Sequence, residues 1–467
     1  MSVLPLDAPT VLRPRRLRAV PTPTPGAGAL PAVVRPDPVP LVTGGLVDYA
    51  QLDHGASTPA LERVVRAVDA ATRTYSSVHR GTGWLSRVTS AHYEDARAEV
   101  ARFVGARADD VVVFTRATTD ALTLLARALP AGTPVVVLGS EHHAALLPWP
   151  SADLHRLPVP HDADDALASI TAALAALDPA RTGGPQPLLV VAGASNVTGE
   201  FWPLERLVGA ARRHGARVLV DAAQLVAHRA IDLERLGADW VAFSGHKVHA
   251  PYGSGALVGR RDWLDAAAPY LPGGGASAAV TEDGTRWATG AARHEGGSPN
   301  VLGAVALAAA CATLREHREV VAEHEAALTA RLLDGLRAVP GVRTYSLLGP
   351  DADRGPVATF TVDGLDSHLV AAALSAEHGI GVRAGKFCAH LAVDALLARA
   401  GAPGQPTATT AVRVSAGLAT TAEHVDRLLA AVRSLAASGP GVAYRHDPEH
   451  GWQPLDDPRD LAVTSLW

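Results

Sequence analysis

One stretch, Val218 to Gly255, restricts what this 467-residue chain can become more than any other. It reads VLVDAAQLVAHRAIDLERLGADWVAFSGHKVHAPYGSG. A short apolar run ends in Asp221, and a helix-compatible segment follows. A second apolar run, Trp240-Val241-Ala242-Phe243, ends in Ser244-Gly245-His246-Lys247. Short apolar runs bounded by turn residues read as buried strands. Two such strands deliver an acid and an amine to one edge of a sheet, and open α/β sheets build their sites at the carboxyl ends of their strands. An Asp at a strand end and a surface Lys are also ordinary features of α/β proteins. Gln224, Ser244 and His246, clustered around the pair, make that plain reading the weaker one.

A carboxylate and a lysine so placed are what pyridoxal 5'-phosphate needs: the amine forms a Schiff base, and the acid keeps the pyridine nitrogen protonated so that the ring acts as an electron sink. DAAQ, then SGHK, then the glycine-rich PYGSG resemble the cofactor site of the class V aminotransferase family. Within that family they are most similar to the group II cysteine desulfurases and selenocysteine lyases. The usual patterns are D-G-A-Q and S-x-H-K, so Ala222 stands where the first carries glycine. The resemblance implies a fold type I enzyme, with a large α/β domain holding a mostly parallel seven-stranded sheet and a smaller α+β domain. It implies Lys247 as the Schiff-base lysine, Asp221 as the pyridinium partner, Gln224 near the ring hydroxyl, and Ser244 and His246 on the phosphate.

A net charge of −5 and the lack of a long basic block argue against nucleic acid as a partner. The longest alanine-rich apolar run, near Val301 to Leu314, falls short of the roughly 18 residues a membrane span needs. Arg15-Arg16 precede a proline-interrupted segment rather than a continuous apolar one, which argues against export. Two cysteines, Cys311 and Cys388, make no disulfide framework. A soluble cytoplasmic protein is expected. Residues 1–47, rich in Pro, Ala and Arg, read as a flexible extension. Residues 48–324 form the cofactor-binding large domain, its first segment contributing to the small one; 325–437 form the small domain, and 438–467 an irregular tail.

Further motifs follow in the family's order. Leu52 to Pro59, LDHGASTP, is a turn of small residues before a helix, similar to the family segment that passes close to the substrate, with Gly55 and Ala56 as the contacts. His79-Arg80-Gly81 resembles the family's H-R-G. Val111 to Phe114 reads as a strand, and TRATTD (Thr115 to Asp120) opens a helix. A hydroxyl-rich turn at a helix start is a phosphate cradle, although capping by Thr118 alone needs no ligand; the family pattern supports Thr118 and Thr119 as phosphate contacts. After the strand Val135 to Leu138 comes Glu141-His142-His143-Ala144. No third ligand lies at a useful spacing, so no metal is expected; in the resembled family this segment supplies an imidazole that stacks on the cofactor and relays protons, a role placed here on His142, with His143 as second choice. Asn196, after the strand Leu188 to Val191, matches the family asparagine that contacts cofactor and substrate. Ser298, in HEGGSPN, stands where the family has a threonine whose hydroxyl reaches the phosphate of the other subunit, which implies a homodimer.

Cys311, among alanines in a helix, reads as a small core residue. Cys388 lies in a polar loop with Arg383, Lys386 and His390, and positive neighbours stabilise the nucleophilic thiolate. R-x-G-x-x-C-A is similar to the desulfurase segment carrying the sulfur-accepting cysteine, with Phe387 where histidine is usual. Arg413, in VRVS, matches the arginine that forks the substrate carboxylate, a geometry guanidinium supplies and ammonium does not. The family's downstream asparagine has no counterpart at Ala419-Thr420-Thr421. The resemblance therefore implies conversion of L-cysteine to L-alanine, with sulfur passing to Cys388 as a persulfide and then to an acceptor protein. Alternatives are another reaction of the family (selenocysteine lyase, C–S lyase, aminotransferase or epimerase) or a non-catalytic sulfur-transfer scaffold.

Overall fold

The computed structural model describes residues 29–401 and 408–460. Seven strands form its central sheet: β1 (Val111–Thr115), β2 (Val135–Leu138), β3 (Leu154–Leu157), β4 (Leu188–Ala192), β5 (Arg217–Asp221), β6 (Trp240–Ser244) and β7 (Gly255–Gly259). Their spatial order is β1-β7-β6-β5-β4-β2-β3. β2 to β6 are mutually parallel, whereas β7 runs antiparallel to both β1 and β6. The sheet is therefore mostly parallel, as expected for the fold class.

Sheet strands covered on both faces are near-continuous apolar runs rather than alternating ones, and every residue of β6 is buried. Alternation still sorts those side chains to two cores. Val136, Leu189, Val218 and Val241 face one, and Val137, Val190, Leu219 and Trp240 face the other. The alanine-rich helix Val301–Glu316 contains Cys311, wholly buried in the first of these cores.

The small domain has four antiparallel strands, β8 (Val342–Tyr345), β9 (Val357–Val362), β10 (Arg383–Gly385) and β11 (Ala411–Ser415), in the order β8-β9-β11-β10. Phe360, Val412 and Val414 pack with Leu328, Leu332, Leu428 and Val432 from helices Arg318–Arg337 and Ala422–Ser438. Ala50 and Leu52 also lie in this core. The chain thus enters through the small domain before building the large one, and the segment after Leu52 is held between the two.

Three segments differ from their sequence reading. The helix-compatible stretch between β5 and β6 contains only the four-residue helix Leu233–Leu236, started by the Asp232 side chain and ended at Gly237 in the left-handed region (φ +75°). Of the extension, residues 1–28, with Arg13, Arg15, Arg16 and Arg18, lie outside the described residues, while residues from 29 on are packed: Val33 bridges Leu61, and Val39–Pro40 pairs with Leu46–Val47. The tail is not irregular throughout. Tyr444–Asp447 and Gly451–Pro454 form a hairpin, anchored by Tyr444 Oη to Glu377 (2.9 Å) and Trp452 Nε1 to Asp366 (3.0 Å). Both rings are half-buried, and aromatic rings with a polar atom dock where that atom finds a partner, a pattern that composition alone does not reveal.

Candidate active site

A cavity of about 320 Å³ opens at the carboxyl ends of the parallel strands, and the residues singled out in the sequence converge on it. Asp221 ends β5 and Lys247 follows β6, its parallel neighbour. The turn that presents Lys247 is tight: a Cβ on Gly245 would lie 2.8 Å from the carbonyl oxygens of Ala250 and Ser254. Burial pushes the Lys247 amine down to about 8 against the opposing pull of Asp221. Burial likewise raises the Asp221 carboxyl, opposed by the Ala223 N–H (3.0 Å) and the Lys247 charge. An acid and an amine that each hold the other's charge in a desolvated pocket are a recurrent mark of a functional site.

The helix Thr118–Ala128 starts at the cavity without a side-chain cap. Ala117 holds the cap position, so Thr118 does not serve as an N-cap. Instead its N–H donates to Ser244 Oγ (2.7 Å), and its hydroxyl meets the same oxygen at 2.7 Å. Thr119 lines the cavity beside it. Asp120, the one acid of the first turn, is turned back onto Arg116 (3.0 Å) and Tyr270 (2.7 Å). Uncapped N–H groups, the helix dipole and three hydroxyls make this end of the cavity receptive to a phosphate-like anion.

His142, after β2, lines the cavity, and its Nδ1 accepts from the Ala144 N–H (3.0 Å), which leaves the proton of the neutral ring on Nε2. Burial, with the charge of Lys247 beside it, lowers its pKa to about 4. Gln224 donates to the Gly55 carbonyl at 2.7 Å. The His246 carbonyl accepts from the Thr58 N–H (2.9 Å) and hydroxyl (3.1 Å), fastening the small-residue segment to the lysine turn. Gly55 permits a close approach, though to protein rather than to open cavity: a Cβ there would lie 3.1 Å from Arg413 Cζ and Ser415 Oγ. Ala56 lines the cavity next to it.

Arg413 reaches the cavity from β11. Its Nη1 donates to the Asn196 carbonyl (2.8 Å), its Nη2 to Asp53 (2.8 Å), and the Phe387 ring lies 5.3 Å from Cζ. Its Nε is buried without a partner. Asn196 in turn donates its amide to the Phe387 carbonyl (2.8 Å). Phe387 and Cys388 both sit at positive φ, +52° and +54°, a strained conformation for residues other than glycine. The His143 N–H holds the Cys388 carbonyl at 2.7 Å. The exposed Cys388 is thus carried to the cavity wall by a loop pinned on both sides of the domain boundary.

Ser298 is the one candidate outside this cavity. It lines a second cavity, of about 930 Å³, with His79, Arg80, Gly274 and Gly275. Two contributors were not singled out as site residues in the sequence. Arg383 lines the cavity and shares Asp53 with Arg413, its Nε at 2.9 Å. Glu141, next to His142, is buried in the cavity wall, where burial raises its carboxyl and the Ala192 backbone N–H opposes that rise. The motifs containing Arg383 and Glu141 were visible; their direction into the site was not. Among the described residues no group of three or more His, Cys, Asp or Glu is arranged to hold a metal ion.

Residues 50–428 match the Aminotransferase class-V family, and the chain belongs to it. A probable cysteine desulfurase of Vibrio cholerae serotype O1 is 33% identical over 409 residues, covering 84% of this chain and 94% of the relative. A cysteine desulfurase of Klebsiella pneumoniae is 35% identical over 400 residues, covering 83% and 93%. The apo structure of a cysteine desulfurase from Thermococcus onnurineus superposes with a TM-score of 0.72 at 30% identity, over 83% of this chain and 95% of that one. The S-sulfonic acid form of a cysteine desulfurase from Escherichia coli gives 0.68, also at 30% identity, over 82% and 94%.

Proposed function

We propose that the protein is a pyridoxal phosphate-dependent cysteine desulfurase that converts L-cysteine to L-alanine and takes up the sulfur on Cys388. The observation that carries this reading is the sharing of one cavity by an amine, an anion-receptive helix start, a buried arginine and an exposed thiol. The residues present fit the cofactor. Thr118, Thr119, Ser244 and His246 would hold its phosphate, Asp221 its ring nitrogen, Gln224 and Asn196 its polar edge, His142 its face, and Lys247 its aldehyde carbon. When bound, pyridoxal phosphate supplies an electron sink for charge released at the substrate's α-carbon.

The chain's own residues then divide the work. Arg413, held by Asp53 and the Asn196 carbonyl, presents its guanidinium charge to the substrate carboxylate, with Arg383 beside it. The Lys247 amine, held low by burial, takes and returns the α-proton. His142, neutral with its proton on Nε2, moves protons between the substrate and the cavity. The Cys388 thiolate attacks the substrate sulfur: an S–S bond forms, the C–S bond breaks, and the carbon fragment takes up a proton. The balance is L-cysteine plus a protein thiol giving L-alanine plus a protein persulfide, which an acceptor protein unloads at the exposed loop.

Ser298 serves the phosphate of a second copy in a homodimer; its place in a separate cavity with His79 and Arg80 supports this. Two unpaired cysteines favour a reducing, cytoplasmic setting, and no helix among the described residues is long and apolar enough to cross a membrane. Incubation with L-cysteine and a reductant, with alanine and sulfide both quantified, tests the assignment. Equimolar products are expected; pyruvate or a keto acid in place of alanine contradicts it.

A further inference from the structure

Phe387 directly precedes the thiol and has no part in the chemistry above. It follows β10 of the small domain, yet its side chain is buried in the large-domain core that also holds Val136 and Val241. Phe387 and Cys388 are consecutive residues at positive φ, and such a pair persists outside glycine only where the surroundings over-determine it. The backbone is held by three bonds. The Phe387 carbonyl accepts from the Asn196 amide (2.8 Å), the Cys388 carbonyl from the His143 N–H (2.7 Å), and the Lys386 carbonyl from the Ala389 N–H (2.9 Å). None of these bonds reaches Arg413.

The ring does. Arg413 Nη1 donates to the Asn196 carbonyl (2.8 Å), Asn196 Nδ2 donates to the Phe387 carbonyl, and Arg413 Cζ lies over the Phe387 ring, 5.3 Å from its centroid. Three contacts thus close a triangle of Arg413, Asn196 and Phe387 in the cavity wall. A guanidinium within about 6 Å of a ring centroid is attracted to the ring, and more strongly where water is excluded. Arg413 is 2% exposed and Phe387 6%. An aliphatic side chain would fill the core here without holding the cation.

We propose that Phe387 is a positioning residue for sulfur transfer: its ring holds the cysteine loop against Arg413, so that the Cys388 thiol keeps a fixed place relative to the arginine that takes the substrate carboxylate. L-Cysteine carries its carboxylate and its sulfur a short, nearly rigid span apart. A small shift of the thiol away from that register is therefore expensive in rate. This role rests on the desulfurase reading; the placement of the thiol beside Arg413 does not.

The test uses Phe387→Tyr, which keeps a ring, and Phe387→Leu and Phe387→Met, two apolar replacements without one, so that a folding failure in either leaves the other. Each full-length protein is labelled with anionic iodoacetate and with neutral iodoacetamide, and the adducts on the Cys388 peptide are quantified by mass spectrometry. The buried Cys311 serves as the internal blank. Both reagents react with the same thiolate, so the ratio of their rates cancels its degree of ionisation and reads the charge around it. Lys247, Arg383 and Arg413 line the cavity with Cys388, so wild type should favour the anion. The ratio should stay within about twofold of wild type in Phe387→Tyr and fall at least about threefold in the ring-free variants. Their kcat/KM for L-cysteine should fall about tenfold, with Phe387→Tyr near wild type. Equal ratios in all four proteins, a Phe387→Tyr ratio as low as that of Phe387→Leu, or wild-type kcat/KM in the ring-free variants would each overturn the proposal. Ratios that split as expected while no protein releases alanine from L-cysteine would remove the desulfurase reading and the role, and leave the placement. Equal ratios alongside normal turnover remove the inference alone.

Discussion

Arg413 Nη2 lies 2.8 Å from Asp53 Oδ1, and the other oxygen of that carboxylate receives Arg383 Nε at 2.9 Å. One acid, on the segment held between the domains, thus aims two arginines of the small domain into the cavity. Arg413 is buried, so its charge depends on that partner; taking one member out of a buried pair is costly because the other is left uncompensated. Asp53→Asn should raise the KM for L-cysteine about tenfold or more with a smaller loss in kcat. A kcat loss with KM unchanged would show that Asp53 does not act through carboxylate binding.

Lys247 makes a prediction about the cofactor-free protein. Its amine, lowered to about 8 by burial, is largely neutral by about pH 9, whereas an ordinary lysine is only half neutral near about 10.4. The rate of pyridoxal phosphate incorporation should rise through pH 8 and level off by pH 9. Lys247→Ala should not be fixed to the cofactor by borohydride at any pH. A rate still climbing at pH 10 would place the amine in water rather than in the wall.

His54 is buried with neither ring nitrogen hydrogen-bonded, and burial lowers its pKa to about 3. For a base held neutral in the fold, stability is complete above the unfolded value near 6.5 and drains away as pH falls toward the folded one. His54→Gln should therefore resist acid unfolding better between pH 6 and 3 while matching wild type at pH 8. The comparison is a pair of chemical-denaturation curves at each pH, and equal acid sensitivity would contradict it.

Glu200 accepts from Arg354 (2.7 Å), Thr198 (2.6 Å) and the Leu347 N–H (2.7 Å), all within the closed boundary between the domains. It is wholly buried, so Glu200→Ala strands Arg354 and should cost about 3–5 kcal/mol in urea unfolding. Since Thr198 is two residues from Asn196, the same change should weaken substrate binding. A loss under about 1 kcal/mol would mean that the cluster relaxes around the deletion.

What the sequence disclosed follows from the distance over which each feature is built. Asp221 and Lys247 were legible because each ends its own apolar run, and the runs become neighbouring parallel strands. The Arg383–Asp53–Arg413 arrangement was not, since its members are separated by 330 and 360 positions and meet only when the opening segment joins the small domain. Thr118 as a cap was a fair local reading. It does not hold because the helix begins one residue earlier than a Thr118 cap requires: Ala117 holds the cap position and Thr118 is the first helical residue, bonded to Ser244. The hairpin at Tyr444–Pro454 was hidden because its stability comes from Glu377 and Asp366, acids on another helix terminus and face.

The central claim is that sulfur leaves the substrate on Cys388. Its backbone is strained (φ +54°), its carbonyl is pinned by His143, and its thiol is exposed, whereas Cys311 is wholly buried in the core. Cys388→Ala should still bind cofactor and L-cysteine yet fail to release alanine, with activity down about a hundredfold or more. The direct measurement is alkylation and mass spectrometry of wild type after one turnover with L-cysteine. The account predicts one added sulfur on the peptide containing Cys388 and none on the peptide containing Cys311. An unmodified Cys388 peptide, together with full activity in Cys388→Ala, would contradict it.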